Sequence, residues 1–159
     1  MTGGHALARG ATDADAAEVA ALVDAAYEHW VERLGTVPRP MTDDYAEVIR
    51  ERRVTVAESD GTIVGVLVLD VTHEGFVIDN VAVHPSVRGT GLGRTLLELA
   101  ESEARRAGFD SIYLYTHEKA SDNISLYSRI GYVEYDRRSE GDFSVVFMRK
   151  PLGSVERPT

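Results

Sequence analysis

The segment Val81-Ala-Val-His-Pro-Ser-Val-Arg-Gly-Thr-Gly-Leu-Gly93 concentrates residues suited to holding an anion. Arg88, Gly89, Gly91 and Gly93 fall together, with Thr90 and Leu92 between them and Arg94 directly after. Glycines let backbone N–H groups approach a ligand without a Cβ in the way. A helix opening at this point would add unpaired N–H donors and the positive end of its dipole, a combination that binds phosphate. Arg88 could add a charge-assisted contact. A P-loop would need Gly-Lys-Ser/Thr, but Gly93 is followed by Arg94-Thr95. A dinucleotide turn would need Gly-x-Gly-x-x-Gly early in a repeating βαβ unit, and neither spacing nor context fits.

A second group with chemistry lies just upstream. Asp79 is two residues before Val81, so in a strand both side chains point to one face. A carboxylate in an otherwise apolar strand invites a reason. It could take a proton directly, act through a water, attract a cation, or be a satisfied structural group. Further on, Asn123 and Tyr127 are four apart and share one face of a short helix.

These groups need a scaffold. Ala6 to Arg9 is a short strand. Thr12 or Asp13 caps a helix whose Ala16, Val19, Ala20, Val23, Ala26, Tyr27 and Trp30 form one apolar face. Gly35 to Pro40 is a loop, and Thr42 caps a shorter helix carrying Tyr45, Val48 and Ile49. The period then changes to that of strands at Val54 to Ala57, Ile63 to Leu69 and Phe76 to Val83, with Asp60-Gly61 a hairpin turn. A long helix follows Gly93, with Leu92, Leu96, Leu99 and Ala100 on its apolar stripe and Gly108 at its end. Ser111 to Thr116 is a strand and Asp122 to Ile130 a helix. Tyr132 to Tyr135 and Ser144 to Met148 form a last hairpin about Gly141-Asp142. The predicted order is β-α-α-β-β-β-α-β-α-β-β: an α+β chain with a mixed, mostly antiparallel central sheet of about seven strands and flanking helices. Residues 1–152 read as a single domain and 153–159 as a loose tail.

With the elements in place, Arg88-Gly-Thr-Gly91-Leu-Gly93, after a strand and a Val-x-Pro step, resembles the central Arg/Gln-x-x-Gly-x-Gly/Ala signature of the GNAT family of N-acetyltransferases. Asn123-Ile-Ser-Leu-Tyr127-Ser-Arg-Ile-Gly131-Tyr132 resembles the family's second block, Asn-x-x-x-Tyr-x-x-x-Gly-Phe/Tyr. The resemblance covers about Ala6 to Leu152. It implies acetyl-CoA as acyl donor and co-substrate, with the pyrophosphate on Arg88, Gly89, Thr90, Gly91, Leu92, Gly93 and Arg94. It implies that the pantetheine arm lies along Val81, Ala82 and Val83, and that a backbone N–H near Val81 faces the thioester oxygen. It makes Tyr127 the candidate general acid toward the leaving sulfur, with plain packing as the alternative. Asn123 becomes a cofactor contact or a helix cap, and Arg129 a contact to the adenosine phosphate or a solvated side chain. Asp79 resembles the acidic residue that some small-amine members hold near the acceptor amine. The acceptor would meet the first two helices and their loop, where Tyr27, Glu28, His29, Trp30 and Arg39 stand, and His117 just past the fifth strand.

Composition narrows the rest. The 159 residues, 43% hydrophobic, suit one core, and the absence of cysteine excludes disulfides and a thiol nucleophile. Five histidines without ligand spacing predict no metal site. No apolar run or leader pattern points to a membrane or to export, so the chain reads as cytoplasmic. A net charge of −9 argues against nucleic acid and favours a cationic partner. The expected activity is acetyl transfer from acetyl-CoA to a primary amine of a small molecule in a ternary complex. A protein N-terminal or lysine acetyltransferase and a non-catalytic acyl-CoA sensor are the alternatives. Pairing of two copies through terminal strands, common in the family, is implied by the resemblance alone.

Overall fold

The structure, a computed structural model, describes residues 6–153. The expected tail beyond Gly153 lies outside the described residues. Strands β1 (Leu7–Gly10), β2 (Arg53–Ser59), β3 (Thr62–Thr72), β4 (Gly75–Val83), β5 (Ser111–His117), β6 (Val133–Glu140) and β7 (Phe143–Pro151) form one sheet in the order β1-β2-β3-β4-β5-β7-β6. The helices are α1 (Ala16–Leu34), α2 (Tyr45–Glu51), α3 (Leu92–Arg106) and α4 (Ser121–Arg129). The β4–β5 pair is parallel, while β1–β2, β2–β3, β5–β7 and β6–β7 are antiparallel. The mixed sheet and element order are those expected from the sequence.

The chain forms two compact units. The first holds residues up to Leu69 together with Asn80–Glu98. Its core packs Val19, Leu22, Val23 and Ala26 of α1 and Tyr45 and Val48 of α2 onto Val54, Val56, Val66, Val68 and Ala82 of the sheet. The β2–β3 turn places Asp60 at φ 51° and Gly61 at φ 78°, the two positive values that a primed two-residue hairpin requires. Gly65 faces α3. A Cβ there would stand 3.1 Å from a Leu92 methyl, 3.2 Å from one of Leu96 and 3.3 Å from the Ala57 Cβ. This glycine sets how closely the start of α3 approaches β3.

The second unit comprises Asp70–Asp79 and the residues from Leu99 onward. Its β4–β5 register pairs Phe76 with Ile112, Val77 with Tyr113 and Ile78 with Leu114. Phe76, Ile112, Leu114, Val146, Met148, Ala104 and Tyr132 are buried. The Lys150 ammonium meets the buried Glu101 carboxylate at 2.8 Å.

Several boundaries differ from those expected, among them the start of α1 at Ala16 and the ends of β3 at Thr72 and β7 at Pro151, and two have a plain side-chain cause. The cap of α2 is Asp44, whose carboxylate accepts from Ala46 N (3.1 Å) and Glu47 N (3.4 Å); the Thr42 hydroxyl instead donates back to Arg39 O (2.8 Å). Strand β6 runs to Glu140 rather than ending at Tyr135. Residues 136–140 are polar and the strand is exposed along its length, so no apolar alternation marks it. Side-chain pairs brace it instead: Arg138 grips Glu74 with two 2.8 Å bonds, and Arg137 grips Glu134 with two of 3.0 Å. The Arg138 guanidinium holds the Glu74 carboxyl down at about 2.

Tyr132 fills the position where the second family block takes Phe or Tyr. It is 2% exposed, and among the described residues its hydroxyl has no hydrogen-bond partner. An orphaned buried hydroxyl costs about 1–3 kcal/mol of desolvation. Tyr132→Phe should therefore stabilise the protein by about 1 kcal/mol. That corresponds to a Tm increase of roughly 2–4 °C for a chain of this size, read by thermal denaturation. A fall in Tm would mean that the hydroxyl is satisfied in solution.

Candidate acetyl-transfer site

The glycine-rich turn lies in the first unit. Strand β4 ends at Val83, and a tight turn at Pro85–Val87 follows, opened by His84. The His84 ring Nδ1 accepts from Ser86 N at 3.0 Å, and Val87 N donates to His84 O at 3.0 Å. Thr90 is used twice to hold the loop: its N–H donates to Val87 O at 3.3 Å and its hydroxyl to the same carbonyl at 2.6 Å.

The first hydrogen bond of α3 runs from Thr95 N to Gly91 O at 3.0 Å, so Gly91 is the N-cap. The N–H groups of Leu92, Gly93 and Arg94 therefore have no acceptor within the helix. Gly91 offers no side chain to cap them, and no acidic residue stands in the first turn. Gly89 (φ +82°) and Gly91 (φ +90°) take left-handed backbone, and an ideal Cβ at either would find nothing within 4 Å. The space over the turn is open on the glycine side. Free first-turn donors, a positive dipole end and open space together fit a pyrophosphate.

Arg88 does something the sequence did not indicate. Its Nη2 donates to the main-chain carbonyl of Ala26 in α1 at 3.0 Å. One of its five N–H donors thus ties the turn to a helix. Arg94 is exposed and stands 3.7 Å from Glu98.

In β4, Val81 and Val83 are half-exposed while Asn80 and Ala82 are buried, the alternation of a strand with one covered face. The Tyr27 hydroxyl donates to Asn80 Oδ1 at 2.6 Å and lies 3.5 Å from Val81 O. Trp30 is 8% exposed, with the Arg33 guanidinium 5.0 Å from its ring and His29 at 4.6 Å. The exposed carboxylates Asp24 and Glu28 line an open hollow with Val37 and Met41. Of these four, only Glu28 is among the acceptor-side residues that the sequence predicts.

The second unit carries the other candidates. Asp79 is half-buried and accepts from the Tyr115 hydroxyl at 2.5 Å. The Tyr115 ring packs against Phe147 at 5.4 Å. Tyr115 was legible only as a strand residue, since nothing in its neighbours signals a carboxylate partner so distant in the chain. His117 stacks on Phe143 at 4.4 Å, and its Nδ1 accepts from Lys119 N at 3.0 Å. This bond assigns the proton to Nε2, which is buried and, among the described residues, without a partner. Burial pushes the His117 imidazole down, toward the neutral form.

Helix α4 presents Asn123 and Tyr127 one turn apart. Its C-terminal end is closed by Ile130 N and Tyr132 N, which donate to Tyr127 O at 3.2 and 2.9 Å. The Tyr127 and Tyr132 rings meet edge to face at 5.9 Å. Burial pushes the Tyr127 phenol up to about 12. Arg129 is exposed.

A model of the acetyltransferase (GNAT) family matches residues 19–132. An IAA acetyltransferase of Azospirillum brasilense is 36% identical over 106 residues, which are 63% of this chain and 68% of the relative. The PaiA N-acetyltransferase of Thermoplasma acidophilum, solved in complex with coenzyme A, superposes with a TM-score of 0.74 at 19% identity, covering 95% of this chain and 99% of that one. YncA of Salmonella typhimurium, solved with acetyl-CoA, gives a TM-score of 0.69 at 23% identity, covering 98% and 99%. At such identities the two structures speak for the fold, and the family match speaks for the sequence. The chain belongs to the GNAT family of acetyltransferases, whose acyl donor is acetyl-CoA.

Proposed function

We propose that this protein transfers the acetyl group of acetyl-CoA to a primary amine of a small molecule in the cytoplasm, by direct attack in a ternary complex. The observation that carries the reading is the uncapped start of α3, with Gly91 at the N-cap, three first-turn N–H groups without an acceptor in the helix, and open space beside Gly89 and Gly91. The net charge of −9 and the carboxylate at Asp79 favour a cationic acceptor.

The thioester supplies an activated acyl group. The neutral amine nitrogen forms a bond to the acyl carbon, the carbon–sulfur bond breaks, and the proton lost from nitrogen passes through solvent to the departing sulfur, so the products are an amide and the CoA thiol. The N–H groups of Leu92, Gly93 and Arg94 take the pyrophosphate, with Arg88 and Arg94 adding positive charge. Main-chain groups of Val81, Ala82 and Val83 take the pantetheine arm, and the Val81 N–H donates to the thioester oxygen as negative charge grows there. Asp79 attracts the ammonium and accepts its proton, directly or through a water. Asn123 and Arg129 are assigned to the cofactor, and His29, Trp30 and His117 to the acceptor side.

Tyr127 is assigned to the departing sulfur. A phenol near 12 keeps its proton throughout the physiological range. Full transfer to a thiolate whose conjugate acid lies near 8.5 would be uphill by roughly 5 kcal/mol. Tyr127 therefore acts as a hydrogen-bond donor to sulfur, which lowers the barrier without giving up its proton.

Three measurements test the reading. Wild-type protein should release thiol from acetyl-CoA only when an amine is present, in a panel of polyamines, amino acids, aminoglycosides and short peptides. A preference for peptides over every small amine would replace the small-molecule acceptor with a protein one. Tyr127→Phe should lower kcat about tenfold to hundredfold with acetyl-CoA affinity by calorimetry little changed, and an unaltered kcat would remove Tyr127 from the chemistry. Gly91→Asp places a carboxylate and a Cβ at the helix N-cap. It should abolish acetyl-CoA binding in a protein whose circular dichroism is unchanged, and retained tight binding would overturn the pyrophosphate assignment.

A further inference from the structure

Asn80 is a buried polar residue in the strand assigned to the thioester, and it has no place in the chemistry described so far. It is 5% exposed and lies on the covered face of β4 beside the core that includes Ala82, Val19, Val23 and Ala26. An apolar residue would pack there without needing partners, whereas a buried amide must have its hydrogen bonds met.

They are met at both ends. The Tyr27 hydroxyl of α1 donates to Asn80 Oδ1 at 2.6 Å. Asn80 Nδ2 donates to the Tyr45 hydroxyl of α2 at 3.1 Å, and Tyr45 donates onward to Pro40 O at 2.6 Å. The bonds run in one direction, from Asn80 through Tyr45 to the loop, and each hydroxyl proton has an acceptor. Tyr27 also stands within 3.5 Å of the Val81 carbonyl. One residue back along α1, Ala26 O receives the Arg88 guanidinium at 3.0 Å. This turn of α1 is therefore tied to both the strand and the glycine-rich turn.

We propose that Tyr27 and Asn80 are positioning residues that hold the peptide joining Asn80 to Val81 in the orientation from which the Val81 N–H donates to the thioester oxygen. The proposal rests on the role given to that N–H above. An amide clamped at both ends leaves Asn80 little torsional freedom, so the adjoining peptide plane is held as well. Oxyanion donors act only within a narrow range of distance and angle, and small misplacements far from the reacting atoms are costly. The arrangement gives Tyr27 a role on the acyl side of the reaction rather than as an acceptor ligand.

The two roles leave different kinetic signatures. A defect in the acyl-side donor slows every acceptor equally, whereas loss of an acceptor contact depends on the acceptor. Tyr27→Phe removes only the hydroxyl. With three amines of unlike size, kcat should fall about tenfold by the same factor for each, while acetyl-CoA affinity by calorimetry stays within about twofold. Tyr45→Phe, at the far end of the chain, should give a smaller loss that is again independent of the amine. Changes confined to acceptor KM and differing between amines would make Tyr27 an acceptor ligand and overturn the proposal. A lowered Tm with kcat unchanged in both variants would reduce the network to a structural brace and overturn it too. Wild-type turnover is measured first: its absence with every amine would sink the acetyl-transfer reading itself, while turnover with unaffected variants sinks only the positioning role.

Discussion

Gly65 leaves room in the middle of β3 for the methyl groups of Leu92 and Leu96, where any Cβ would stand about 3.1 to 3.2 Å away. Interiors are packed too tightly to absorb such an overlap without a shift of the helix. That close approach seats the first turn of α3, and the first turn is where the chain carries its phosphate-type donors. The requirement is steric and lies in a strand that makes no contact with a ligand in the assignment above. A residue in the core thus decides where the chemistry of the surface turn can occur.

The turn is built to leave donors unspent. The carbonyls of His84, Pro85 and Val87 absorb the N–H groups of Val87, Arg88 and Thr90, and Gly91 O absorbs that of Thr95. What is left over is the first turn of a helix with a glycine at its N-cap. Helices are ordinarily capped by Ser, Thr, Asp or Asn, whose side chains would occupy these same N–H groups. A glycine at that position forgoes cap stability in favour of an open anion site. Arg88 complements this by holding the turn to α1 through the Ala26 carbonyl, so its charge and its bracing act at one place.

In the second unit, positioning comes from aromatic packing and a few charge-assisted bonds. Tyr115 is fixed by Phe147, and Phe147 in turn lies under the Arg138 guanidinium at 3.9 Å. This chain of contacts orients the phenol that meets Asp79. On α4, the carbonyl of Tyr127 accepts the two N–H groups that close the helix, which ties the turn at Gly131 to the Tyr127 main chain, while the Tyr132 ring meets the Tyr127 ring edge to face. Burial then determines what Tyr127 can do: a phenol held near 12 is a lasting hydrogen-bond donor and a poor source of protons.

The sequence by itself determined the order of the elements, the hairpin at Asp60-Gly61, the anion turn and the two family blocks. These features are encoded locally, by hydrophobic period, by turn residues and by motif spacing. Strand β6 runs past the end that its sequence predicts because its outer half, Asp136 to Glu140, is held by ion pairs that leave no period in the chain. Only the tertiary structure decided that Arg88 reaches Ala26, that Asp79 receives Tyr115, and that Tyr27 serves Asn80. Those pairs lie 62, 36 and 53 residues apart. Hydrogen bonding between side chains depends on distances of a few tenths of an ångström, set by how helices and strands pack, and residue types alone do not carry that information.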